Sequence, residues 1–91
     1  AASKAAIDTF TKGLSLEIAA EGIRVNAVRP GIMDTEMHAS GGQRDRPRQL
    51  APSIPMQRAG HAEEVAAAIV WLLSEEASYI TGALLDISGG R

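Results

Sequence analysis

The Pro30-Gly31 dipeptide and Thr35 are the residues whose types and spacing best fit chemistry on a bound ligand. Pro30-Gly31 breaks an apolar stretch, and Thr35 supplies a hydroxyl shortly after the break. Ligands of open α/β sheets sit outside the carboxyl ends of the strands, so this break is expected to be a binding edge. Thr35 reads equally well as a cap or turn hydroxyl for the segment that follows. Lys4 offers a cation, although by spacing alone it is a solvated lysine at a fraying helix end. Asp34, Glu36, His38 and His61 have no metal-ligand spacing, and no metal site is expected. Arg44, Arg46, Arg48 and Arg58 could touch an anionic substrate, yet Asp45 interrupts them, and a solvated loop is the simpler reading. Met33, Met37 and Met56 could line a flexible apolar pocket or simply pack.

Two helices, two strands and a long loop must position these groups, in the order helix, strand, long loop, helix, strand. Ile7, Phe10, Leu14 and Ile18 recur at helical spacing within residues 1–21 and predict a stripe lying on a sheet. Ala2, Ala6, Thr9, Gly13, Leu16 and Ala20 form a second, small-residue face, where Gly13 suggests close approach of another backbone. Gly22 stands where a left-handed cap is wanted, and residues 23–29 then read as a short strand with Arg24 and Asn26 interleaved. Asn26 is expected to tie neighbouring backbone together, and pairing is expected to stop at Pro30. Residues 32–60 make a loop long enough to be functional. Residues 62–74 form a helix with Glu63 and Glu64 in its first turn. Its core face is Val65, Ile69, Leu72 and Leu73, and Trp71 lies on another side, half-buried or an interface anchor. Residues 83–87 form the last strand, parallel to the first, and Gly89-Gly90 releases the chain.

Ninety-one residues with a net charge of -2 and 45% hydrophobic content describe one modest globular segment with no field for nucleic acid or an acidic membrane. The absence of cysteine removes thiolate, disulfide and cysteine–metal chemistry and fits a cytoplasmic location. No apolar run reaches bilayer length. Two parallel strands with open edges make a poor free-standing fold, and the chain opens directly in helix-forming composition, so it is expected to be cut from something longer.

Taken in order, Ser3-Lys4, Arg24-Val25-Asn26-Ala27-Val28-Arg29-Pro30-Gly31 with Thr35, Pro55 to Gly60, Glu63-Glu64-Val65-Ala66, and Tyr79-Ile80-Thr81-Gly82 leading to Asp86 and Gly89-Gly90 resemble the C-terminal part of a classical short-chain dehydrogenase/reductase. Glucose and sugar dehydrogenases and 3-oxoacyl-carrier-protein reductases are the nearest flavours. The resemblance implies an α/β fold, the C-terminal portion of a Rossmann-type doubly wound parallel sheet that is incomplete on its own. It also implies NAD or NADP as cofactor in the complete protein, a small alcohol or carbonyl substrate, and a homo-oligomer, dimer or tetramer. The oligomer would form through the first helix and through the Trp71 helix with the last strand.

Residue by residue, the resemblance makes Lys4 the lysine of a Tyr-x-x-x-Lys pair, holding the nicotinamide ribose and lowering the tyrosine pKa. An adjacent cation does favour a phenolate. The same likeness puts Pro30, Gly31, Ile32 and Thr35 on the cofactor, with the Ile32 backbone N–H and C=O at the carboxamide, and puts Met33, Met37 and Met56 in a substrate-covering loop. The tyrosine would precede Ala1, and the Gly-rich phosphate loop and catalytic serine are likewise absent, so this chain alone is expected to be inactive. Tyr79 is not that phenol. The rival expectation is a non-catalytic half-domain acting only as an oligomerisation module.

Overall fold

The computed structural model describes residues 2–34 and 46–91. Helix α1 (Ala2–Ile18) runs into a 3-10 turn, Ala19–Glu21, closed by Gly22 in the left-handed region. Strands β1 (Ala27–Pro30) and β2 (Met33–Asp34) follow. Beyond them come α2 (Arg46–Leu50), a 3-10 turn at Ala51–Ser53, β3 (Gly60–His61) and α3 (Ala62–Leu73). A last 3-10 turn, Glu75–Ala77, precedes β4 (Leu84–Ile87). Strands β1 and β4 pair in parallel from Ala27 opposite Leu84 to Pro30 opposite Ile87. A second parallel pair sets Met33 of β2 opposite Gly60 of β3 and Asp34 opposite His61.

The first strand begins later than residue 23, because polar side chains replace the ladder there. Asn26 donates from Nδ2 to the Ile80 carbonyl at 3.1 Å and accepts the Ala83 N–H at 2.9 Å. The Val25 N–H donates to Thr81 Oγ1, and the Gly82 N–H donates to the Val25 carbonyl. Arg24 reaches the Leu72, Ser74 and Ile80 carbonyls, which caps α3 with a cation at the negative end of its dipole. Pairing also continues through Pro30. The Ala27 N–H donates to Ala83 and the Gly31 N–H to Ile87, so alternate residues face β4, and the donor missing at Pro30 falls on the other edge.

Two further expectations are corrected. Residues 32–60 are not one unbroken loop: the Gly60 N–H donates to the Ile32 carbonyl at 2.9 Å, which starts the β2–β3 pair. The glycine pair at the end does not simply release the chain. A Cβ at Gly89 would lie 2.9 Å from Ile54 Cγ2, and one at Gly90 would lie 2.9 Å from the Pro55 Cβ. Both glycines have positive φ, and the Gly89 carbonyl accepts the Met56 N–H. Ile54, 1% exposed, is the deepest large side chain among the described residues.

Helix α1 does not turn its whole apolar stripe inward. Ile7 and Phe10 are 60% and 68% exposed, whereas Thr11 and Ser15 are buried. Their hydroxyls donate to the Ile7 and Lys12 carbonyls of the same helix, so burial leaves no orphan donor. Ser15 is small enough for its Oγ to lie 2.7 Å from a Cβ built on Gly82, so the helix approaches the strand β4 approach closely. Gly13 meets nothing within 4 Å of such a Cβ. On α3 only Leu72 is fully buried, while Ile69 and Leu73 stay exposed with Val70 and Trp71. The surface totals 6599 Å² and the Cα radius of gyration is 15.4 Å. A compact chain of this mass shows about 5,000 Å² and a radius of about 12 Å. Among the described residues, no helix is long and apolar enough to cross a membrane.

The start of α3 is a capping box with His61 as N-cap and Glu64 at its third position. Arg58 grips both Glu64 oxygens at 2.8 and 3.0 Å, and the His61 N–H donates to Oε1 at 3.0 Å. First the Arg58 bond and then the His61 N–H hold the Glu64 carboxyl down to about 2, from 4.5. A depressed folded-state pKa gives stability that is complete above 4.5 and lost as pH falls towards 2. The His61 amide resonance should therefore titrate with a midpoint of about 2, and Arg58→Ala should return it towards 4.5; a parent midpoint already at 4.5 contradicts the pairing. From the exposed apolar area, the isolated chain should bind an apolar-surface dye such as ANS and lack a sharp melting transition. A dye-silent, cooperatively melting chain would contradict that expectation.

Candidate functional site

A cleft of about 640 Å³ opens at the carboxyl ends of β1 and β4. Lys4 reaches it from the first turns of α1, and Pro30, Gly31 and Ile32 line it from the end of β1. Four of the five residues placed on the cofactor by sequence thus share one cavity. Thr35, the fifth, lies outside the described residues, as does Met37.

Gly31 has a packing role that its sequence context does not reveal. A Cβ there would sit 2.9 Å from the Ser88 Cβ and 3.0 Å from its Cα, too close for any other residue without a shift. The Gly31 N–H also donates to the Ile87 carbonyl at 2.9 Å. This close approach brings the ends of the two strands together as one wall. Ile32 enters the site with its carbonyl already accepting the Gly60 N–H, which leaves one lone pair for any other donor.

Part of the cleft lining is ionic. Arg29 donates from Nε and Nη2 to both Asp86 oxygens, at 2.7 and 3.0 Å, and from Nη1 to Asp8 Oδ2 at 2.8 Å. Arg29 and Asp86 face each other in the β1–β4 register, so this fork is a cross-strand pair. The bonds to Asp86 and then to Asp8 raise the Arg29 pKa, and the bond from Arg29 lowers that of Asp86. Among the described residues Lys4 has no carboxylate partner. Sequence reading missed Arg29, Asp8, Asp86 and Ser88 because their proximity follows from strand register. Alternation of charge opposite charge is the signal once that register is known.

A second cleft, of about 470 Å³, shares Ile32, Asp86 and Ser88 with the first and adds Met56, Arg58 and Glu64. Met56 is therefore near the site, while Met33 sits in β2 with its thioether against Gly60. Arg58 is committed to Glu64. Asp34 and His61 are register partners in the β2–β3 pair, and Glu36 and His38 lie outside the described residues. Trp71 is 43% exposed beside a shallow hollow that also takes in Ala67 and Val70. Tyr79 is fully exposed, and the cleft holding Lys4 is lined by other residues.

Residues 1–91 match a family model described as enoyl-(acyl carrier protein) reductase. An uncharacterised oxidoreductase, YgfF of Escherichia coli (strain K12), is 66% identical over 91 residues, which is 100% of this chain and 37% of that protein. Glucose 1-dehydrogenase 2 of Bacillus subtilis (strain 168) is 47% identical over 88 residues, 97% of this chain and 34% of its own length. The chain thus spans about a third of the length of the curated relatives it matches. Among solved structures, the NADPH-dependent reductase YwfH, involved in bacilysin biosynthesis, superposes with a TM-score of 0.83 at 38% identity. That match covers 94% of this chain and 36% of YwfH. Acetoin dehydrogenase YohF from Salmonella typhimurium gives 0.80 at 42% identity, covering 98% and 33%. The helices and parallel strands are accordingly a portion of a Rossmann-type sheet, and the chain belongs to the short-chain dehydrogenase/reductase family.

Proposed function

We propose that this chain forms the nicotinamide side of the dinucleotide site in an NAD(P)-dependent oxidoreductase acting on a small alcohol or carbonyl compound. The observation that carries the reading is the convergence of Lys4, Pro30, Gly31 and Ile32 on one cleft at the carboxyl ends of two parallel strands. A bound NAD or NADP would supply the hydride acceptor or donor.

The residues fit such a group. Lys4 presents a cation without a carboxylate partner among the described residues, suited to a ribose hydroxyl and to an adjacent phenol. Pro30 and Gly31 bring no side-chain hydrogen-bond donor to the end of the strand, and the missing Cβ of Gly31 lets Ser88 close against it to complete the wall. The Ile32 backbone would orient the carboxamide, using the lone pair that Gly60 leaves, and Thr35 would add a hydroxyl. Met56, with Met33 and Met37, would shape the substrate side. The proton-transferring tyrosine and the Gly-rich phosphate loop would come from the part of the relatives' length that this chain does not span, and the chain by itself would be inactive.

The exposed apolar faces support an assembled state. Ile7 and Phe10 on α1, and Val70, Trp71 and Leu73 on α3, would be covered by the rest of the domain or by a second subunit. This favours a homo-oligomer, dimer or tetramer, through α1 and through α3 with β4. It also sustains the rival reading of a non-catalytic oligomerisation module, in which the same faces are used without turnover.

In the complete protein, Lys4→Ala should lower NAD(P)H-linked turnover of small alcohols or ketones by ~100-fold or more, the range of a lost acid–base contribution. Retained turnover in that variant would remove Lys4 from the chemistry. Absence of turnover in the parent across a panel of such substrates and both cofactors would favour the module.

A further inference from the structure

We propose that Arg29 is a positioning residue for Lys4: by holding the Asp8 carboxylate it keeps that carboxylate off the lysine, so that Lys4 stays available inside the cleft. The inference rests on the role given to Lys4 above. Lys4 and Asp8 stand one turn apart on the same face of α1, the spacing at which opposite charges pair on a helix. Both line the cleft, as does Arg29. Yet Asp8 Oδ2 is taken by Arg29 at 2.8 Å, and Lys4 has no carboxylate partner among the described residues.

Asp86 makes the arrangement stable. It sits opposite Arg29 in the parallel register and uses both oxygens on Nε and Nη2, which leaves Nη1 directed at Asp8. A guanidinium can serve two carboxylates with a fixed fork; an ammonium cannot. Asp8 is the less exposed of the two acids, at 27% of its side chain against 59% for Asp86, so it would be the more costly to leave unpaired. Two lysines lie within helical reach of it, Lys4 and Lys12. The Lys12 stem lies against Gly82, away from the cleft, which leaves Lys4 as the partner that Asp8 would take if Arg29 were lost.

The test uses the complete protein in four forms: parent, Arg29→Leu, Asp8→Asn and the double variant. The first readout needs no cofactor. Lys4 and Lys12 are the only lysines of this stretch, and their acylation rates can be followed by peptide mass spectrometry. Arg29→Leu should slow Lys4 acylation about twofold with Lys12 unchanged, as an i,i+4 ion pair would. Asp8→Asn should leave both rates at the parent value, and the double variant should restore Lys4. In the second readout, Arg29→Leu should lower kcat and move the rising limb of the rate–pH profile for alcohol oxidation to higher pH, and Asp8→Asn should reverse both. Arg29→Lys, less disruptive to folding, should fall between the parent and Arg29→Leu.

A double variant as impaired as Arg29→Leu would overturn the inference, leaving Arg29 a strut. So would slowing at Lys12 instead of Lys4, or faster Lys4 acylation in Asp8→Asn alone. If Lys4→Ala itself turns over at the parent rate, the role assigned to Lys4 fails and takes this inference with it. That failure is distinct from an inactive Lys4→Ala accompanied by no rescue.

Discussion

The side-chain amide of Asn26 bridges the two strands of the main sheet where their pairing begins. One asparagine donates to the Ile80 carbonyl and accepts the Ala83 N–H, doing for two residues what a ladder would do for a strand. It fixes where β1 starts against β4, and in a parallel pair a one-residue slip would carry each side chain to the other face. From that register follow Arg29 opposite Asp86, Pro30 opposite Ile87 and Gly31 against Ser88. Arg24, two residues back along the same segment, ties the end of α3 to the same place. Asparagine is costly in a strand interior but well suited to a junction where backbone groups would otherwise lack partners.

A second constraint is that the chain buries little of its own apolar surface. Its deepest contacts are local ones, Ile54 under the glycine pair and Leu72 under Arg24's segment, while whole flanks of α1 and α3 face outwards. The polar strip of α1, with Asp8 and Ser15, is what meets the strands. This division makes sense if the strands and the ionic wall belong to a site and the apolar flanks belong to packing with further polypeptide. An area of exposed hydrocarbon this large is otherwise an aggregation liability.

Much of this could be read from the residues, and the limits are instructive. Helical spacing located α1 and α3, and the glycine after α1 takes the left-handed conformation that its position demanded. Parallel pairing of first and last strands followed from connectivity. The direction of α1 did not follow, because periodicity shows that a stripe exists without showing what it faces; close approach at Gly82 favoured small polar residues over Phe10. The β2–β3 pair was hidden because two-residue strands carry no periodicity. At the site, Lys4, Pro30, Gly31 and Ile32 could be named from the resemblance, but the Arg29 cluster required register, and the tie between Gly89-Gly90 and Ile54–Met56 required a long-range contact.

In the proposed function, the end of β1 and the start of α1 together hold the nicotinamide end of a dinucleotide. Hydrogen–deuterium exchange of the complete protein, with and without saturating NADP or NAD, tests it most directly. Cofactor binding should slow exchange at Gly31 to Asp34 and in the first turns of α1 around Lys4, with no change along α3 at Ala66 to Leu73. Unchanged exchange at Gly31 to Asp34 in the presence of a cofactor that demonstrably binds would contradict it.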